Sequence, residues 1–145
     1  MTFFTVNQVS TSLRIPKDTL RYYDKIKLVC PIRGENRYRF YTKHDLIDLQ
    51  YIEVMKHAGF TLIEIQKVLL NKRSGNCENL ADTMRLLETK KDELTQKIAR
   101  YRSIIELISE AETVLHAKRT PVDSTRVNEM IQRTFYHLKG ETHEK

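Results

Sequence analysis

Apolar residues return along this chain at helical spacing in six places and alternate with turn residues in one. Val6, Val9 and Leu13 share a face and predict a short helix. Thr5 and Gln8 at its start form a capping-box pattern, in which each side chain meets the other's backbone N–H. After Arg14-Ile15, Pro16 suits a first helical position, and Leu20 and Tyr23 predict a second short helix. Lys17, Arg21, Tyr22 and Lys25 fall on its other faces. Two short helices so closely joined predict a helix-turn-helix, the second being the reading helix. Leu28 to Arg33 reads as an extended apolar stretch with Cys30 as a structural residue within it. Gly34 to Arg37 reads as a turn, and Tyr38 to Tyr41 as a second strand. Together they predict a β-hairpin wing whose arginines, Arg33, Arg37 and Arg39, interleave with Tyr38 and Tyr41. An arginine-rich surface hairpin is the plain alternative. Such a mix also suits contact with phosphates beside a groove.

A helix opens at Thr42 or Lys43 and runs to about His57, with Leu46, Leu49, Ile52 (beside Tyr51) and Met55 inward and Ala58-Gly59 as its stop. Thr61 caps the next helix, with Glu64 completing a second capping box and Leu62, Ile65, Val68 and Leu69 facing the core. Lys72 to Asn79 is polar and reads as a linker. From about Glu78 to Ala117 the apolar spacing becomes heptad. Leu80, Leu87, Leu94, Tyr101, Ile108 and Leu115 take one seam position; Met84, Ile98 and Ile105, with Lys91 and Glu112, take the other. A seam of this length calls for a second copy of the chain. In a parallel pair Lys91 would face Lys91; in an antiparallel pair crossing near Tyr101, Lys91 approaches Glu112 of the other copy. Beyond Pro121, Asp123 or Ser124 caps a last helix with Val127, Met130, Ile131, Phe135 and Leu138 in one stripe and Gly140 at its end. Met130, Phe135 and Tyr136 are candidates to line a small-molecule site, simple packing being the other reading.

The predicted class is therefore mainly α. Residues 1–75 form a winged helix-turn-helix DNA-binding domain, 78–118 a long antiparallel dimerisation helix, and 121–145 a short C-terminal helix and tail, a possible effector region. Charge sharpens this division. The 145 residues carry a net charge of +6, and from Met1 to Gly75 there are 13 cations against 7 anions, while the remainder is balanced. All the excess lies in the half with the reading helix, which points to a polyanion there. No apolar run approaches the roughly 18 residues of a membrane span. The start of the chain lacks the pattern of a signal peptide, and two cysteines without an export signal read as reduced cytosolic thiols. No catalytic constellation, Gly-rich phosphate loop or cofactor motif is present.

The order Phe4-Thr5-Val6, Thr19-Leu20-Arg21-Tyr22-Tyr23-Asp24, Leu28, Pro31, Arg33, Tyr38-Arg39, Tyr41, Asp45-Leu46, Leu49 and Ala58-Gly59-Phe60-Thr61-Leu62, Ile65 resembles the MerR family of transcriptional regulators over about the first 70 residues. The resemblance implies a winged helix-turn-helix and a homodimer paired antiparallel through the long helix. It also implies an effector site near the dimer interface, with RNA polymerase at the promoter as a partner. Carried over by position, Lys17, Thr19, Arg21 and Tyr22 of the reading helix and Arg33, Tyr38, Arg39 and Tyr41 of the wing would touch DNA. The expected action is on an inverted repeat in a promoter, by distortion of DNA. Lys27 and Arg37 stand where the family often has glycine; they are either added phosphate contacts or tolerated replacements, and Asn36 is the candidate for the left-handed residue of the wing tip. Metal-sensing members place a ligand near Cys77 but need further thiolates that this chain lacks, with only His116 as a companion, so no metal site is expected. Cys77 remains a candidate thiol sensor beside Lys72 and Arg73, and an organic effector is preferred. The alternatives are an architectural DNA-bending protein without an effector and a plain oligomerisation adaptor.

Overall fold

A computed structural model describes residues 1–75, 79–117 and 125–140. Its elements in chain order are β1 (Phe4–Thr5), α1 (Val6–Leu13), α2 (Lys17–Lys25), β2 (Ile32–Arg33), β3 (Arg39–Tyr41), α3 (Lys43–His57), α4 (Leu62–Ser74), α5 (Leu80–His116) and α6 (Thr125–Lys139). The chain divides into two compact units, Met1–Lys90 and Lys91–Lys145.

In the first unit three helices start on the same device. Thr5, Thr42 and Thr61 each accept from the N–H three residues on, and Gln8, Asp45 and Glu64 each accept the threonine's own N–H in return. The Thr61 N–H, with Lys90 nearby, holds the Glu64 carboxyl below its ordinary range. Pro16 occupies the N-cap of α2, one position before the helix begins. The wing is larger than a hairpin. β3 pairs antiparallel with β2, Ile32 opposite Phe40, and on its other edge with β1, Phe4 opposite Tyr41. The expected strand from Leu28 shortens to Ile32–Arg33, because Leu28 and Val29 turn into the core and cap α2 instead.

That cap is a paired hydrogen bond, from Lys27 N–H to the Asp24 carbonyl (3.1 Å) and from Leu28 N–H to the Tyr23 carbonyl (2.9 Å). The end of α3 repeats it, from Gly59 to Lys56 (3.0 Å) and from Phe60 to Met55 (3.1 Å). Both motifs need a left-handed residue, and it is Gly59 in one (φ 87°) and Lys27 in the other (φ 61°). The wing tip makes the same demand. Gly34 N–H reaches the Tyr38 carbonyl and Arg37 N–H the Gly34 carbonyl, a three-residue loop closed by a left-handed residue. Arg37 itself, at φ 59°, fills that position rather than Asn36. A methyl group on Gly34 would lie 2.7 Å from the Phe40 ring, so this turn residue also gives the wing its close packing.

The core of the first unit is Val9, Ile15, Leu20, Tyr23, Leu28, Val29, Tyr41, Leu49, Ile52, Met55, Ile65 and Leu69. Asp48 is buried with it. Lys72 Nζ donates to its Oδ1 at 2.8 Å, and Arg73 donates to Oδ2 through Nη2 (2.8 Å) and Nε (3.0 Å). Burial pushes the Asp48 carboxyl up, but the bonds from Lys72 and Arg73 outweigh it and hold it below the ordinary aspartate value. Arg73 Nη2 also reaches the Leu28 carbonyl at 2.9 Å. Lys72 and Arg73 are thus the last turn of α4 and not linker, because a buried carboxylate needs them. Cys30 is exposed, against the expectation of a structural residue in a strand. The first turns of α5 belong to this unit: Asn71 donates to the Thr83 hydroxyl, and Lys90 Nζ donates to the Gly59 carbonyl (3.2 Å) over the Phe60 ring.

In the second unit Arg126 Nε of α6 pairs with Glu110 of α5 at 3.0 Å. Ser103, Glu106, Met130, Arg133, Thr134 and His137 line a cleft of about 210 Å³. Of the three candidate effector residues only Met130 lines it; Phe135 and Tyr136 meet edge to face, 5.4 Å between centroids, and Phe135 is exposed. Gly140 (φ 72°) ends α6. Along α5 the nine apolar seam residues are all exposed, from 36% at Leu94 to 72% at Leu115. Among the described residues no helix is long and apolar enough to cross a membrane.

Candidate nucleic-acid interface

The first turn of α2 and the wing enclose an open cleft of about 740 Å³. Lys17 and Arg21 border it from α2, Arg37, Tyr38 and Arg39 from the wing, and Thr5 and Asn7 from the start of α1. Four cations face one space, and no carboxylate is among the lining residues. The helix of α2 explains the first two: Leu20 and Tyr23 are held in the core, which turns Lys17 and Arg21 outward. Arg21 also pairs with Asp18 at 3.0 Å, an exposed contact that a phosphate can displace at small cost. The wing explains the others, since the left-handed turn at Arg37 sets Tyr38 and Arg39 back toward α2.

The residues expected to touch DNA separate into three groups. Lys17, Arg21, Tyr38 and Arg39 line the cleft, and Tyr22 (49% exposed) and the half-buried Thr19 lie on the same helix. Arg33 lies outside it, held by Asp24 and by the Arg37 carbonyl. Tyr41 is 1% exposed and belongs to the core, a correction to its expected contact with DNA. Tyr38, Arg39 and Phe40 before it line the cleft, whereas Tyr41 ends β3 opposite Phe4 and its ring joins the buried cluster. Burial raises its phenol above the ordinary value, and the hydroxyl has no hydrogen-bond partner among the described residues. Asn7 and Asp24 were missed as site residues, while Arg37, read from the sequence as either an added phosphate contact or a tolerated replacement, lines the cleft. The Thr5 cap already placed Asn7 at a helix N-terminus, but nothing in the spacing marked Asp24.

Cys77 and the caps proposed at Asp123 or Ser124 lie outside the described residues. No group of three metal-ligating side chains occurs among the described residues.

Two family models cover most of the chain. One, described as MerR HTH family regulatory protein, matches residues 4–72; the other, described as MerR, DNA binding, matches residues 46–111. The HTH-type transcriptional regulator HmrR of Rhizobium leguminosarum bv. viciae is 30% identical over 112 residues, 77% of this chain and 84% of that one. The chain belongs to the MerR family of transcriptional regulators. A second relative, the multidrug-efflux transporter 2 regulator of Bacillus subtilis, is 28% identical over 141 residues; the match takes in 97% of this chain but spans only about half, 47%, of the relative. Among solved structures, a MerR-family transcriptional regulator from Bacillus cereus superposes with a TM-score of 0.63 at 26% identity, covering 94% of this chain and 99% of that one. As a MerR-type protein this chain is a DNA-binding transcriptional regulator, and the match to the MerR HTH model over residues 4–72 takes in both α2 and the wing, which border the cationic cleft.

Proposed function

We propose that this regulator acts as an antiparallel homodimer joined along α5, sets two reading helices on an inverted repeat in a promoter, and alters transcription by RNA polymerase through distortion of the DNA between the half-sites. The observation that carries this reading is the exposed heptad stripe of α5. Each half-exposed apolar side chain returned to an apolar contact is worth about 1 kcal/mol. Nine such residues from each of two copies exceed the 4–15 kcal/mol or so that association costs. Lys91 and Glu112 break the seam about equally far from Tyr101, and only antiparallel pairing sets unlike charges together. The signal is a small organic molecule or stress, since soft-metal sensing needs more thiolates than the chain holds.

Sedimentation of the full chain tests the pairing. Lys91→Glu weakens the dimer and Glu112→Lys added to it restores the dimer; failure to restore overturns the antiparallel register. Retention of sheared source DNA tests the rest. Enrichment of an inverted repeat between promoter elements is expected, and retention without common sequence would favour an architectural protein.

A further inference from the structure

Asp24 lies in the last turn of α2, the helix that carries Lys17 and Arg21, and its side chain is only 7% exposed. A carboxylate this deep needs partners, and the wing supplies two. Arg33 Nη2 donates to Asp24 Oδ2 at 2.5 Å and Arg39 Nε to the same oxygen at 2.7 Å. The two guanidinium groups are used differently. Arg33 also donates through Nη1 to the Arg37 carbonyl at 3.3 Å, so it spans from α2 to the wing tip and takes no part in lining the cleft. Arg39 gives Asp24 its Nε alone and lines the cleft with Lys17, Arg21 and Arg37. Its two terminal amino groups make no hydrogen bond among the described residues, and those are the groups that grip a phosphate bidentately.

We propose that Asp24 is a positioning residue for DNA binding: its carboxylate locks Arg33 as a strut between reading helix and wing, and holds Arg39 by Nε so that the terminal amino groups face a DNA phosphate. The proposal rests on the cleft being the DNA-binding surface. It carries an unusual sign. A carboxylate beside a polyanion is repulsive, so charge alone predicts that its removal tightens binding. Positioning predicts the opposite.

The test begins with full-length wild type and a random duplex library about 40 base pairs long, several helical turns. A wild type that enriches nothing overturns the DNA-binding reading itself. With an enriched duplex in hand, affinity is measured against salt for Asp24→Asn. The expected result is binding weaker by about tenfold, with a salt slope smaller by about one phosphate contact, although the variant is one unit more positive. Adding Arg39→Ala first should remove most of that loss. Equal or tighter binding by Asp24→Asn, or an undiminished loss in the Arg39→Ala background, overturns the positioning role while leaving DNA binding intact. If Asp24→Asn has no cooperative melt, Arg33→Ala and Arg39→Ala decide the matter. Arg39→Ala lowers the salt slope by about one and Arg33→Ala leaves it unchanged; equal changes in slope overturn the assignment.

Discussion

Lys27→Gly should make this protein more stable, although it deletes a side chain and a charge. Lys27 closes the cap of α2 at φ 61° with the hydrogen bonds that Gly59 makes at the end of α3. A side chain in the left-handed region costs about 1–2 kcal/mol, from the Cβ against the following carbonyl. Glycine gives back about 0.5–1 kcal/mol through its greater freedom in the unfolded chain. The difference favours glycine by about 0.5–1 kcal/mol, and Lys27 is exposed, so little packing is lost. Urea unfolding of the full chain should show a higher midpoint at an unchanged slope. Gly59→Ala is the control in reverse and should lose about 1 kcal/mol or more. A Lys27→Gly midpoint equal to or below wild type would refute the reasoning. The same variant separates the two meanings of Lys27. A salt slope for DNA binding reduced by about one marks a phosphate contact; an unchanged slope marks a tolerated replacement.

Tyr41→Phe should leave DNA affinity unchanged and stability equal or up to about 1 kcal/mol higher, since an unpartnered buried hydroxyl is a net cost. A tenfold loss of affinity would put the phenol on the DNA. Acid should unfold the first unit partly through Asp48. Its folded pKa lies below the unfolded one, so its contribution is complete above about pH 4 and is lost as the pH falls through the folded value. Asp48→Asn should flatten that acid limb in a series of urea midpoints. At neutral pH it should lose about 1–2 kcal/mol, a figure kept small because Lys72 and Arg73 are themselves over a third exposed and screened. An unchanged acid limb would show that other carboxylates govern it.

The helices and two of the three capping boxes were legible because their signals are local. A threonine three residues before Gln or Glu needs only its own turn, and so does a stripe at helical spacing. The third box escaped because Asp45 stands in for the usual Glu or Gln. What could not be read depends on residues far apart in the chain. β1 is two residues long and exists only because the outer edge of β3 lies beside it. Lys72 and Arg73 looked like linker until Asp48, over twenty residues earlier, proved to be buried against them. Within the site, the tyrosine-rich strand gave the right strand and one wrong face, because only the register with β1 and β2 decides that Phe40 looks toward the cleft and Tyr41 away.

Among the described residues three side chains are left-handed, Arg14, Lys27 and Arg37. Each stands at a turn where glycine is the easy choice, and each is a cation in the half that holds all the excess positive charge. Arg37 faces the cleft, so it can meet a phosphate there only if the strained wing tip holds its shape. That shape is held from the other side by Arg33, whose Nη1 binds the Arg37 carbonyl while Nη2 binds Asp24. A strained residue persists where its surroundings over-determine it, and the surroundings here are an ion pair back to the reading helix. If Arg37 meets a phosphate, stability and DNA binding pull in opposite directions at the wing tip. Arg37→Gly should relax the turn by about 0.5–1 kcal/mol, by the same balance as Lys27, and weaken DNA binding with a salt slope smaller by about one. A variant that gained stability with no loss of affinity would show the arginine to be strained for no benefit to binding.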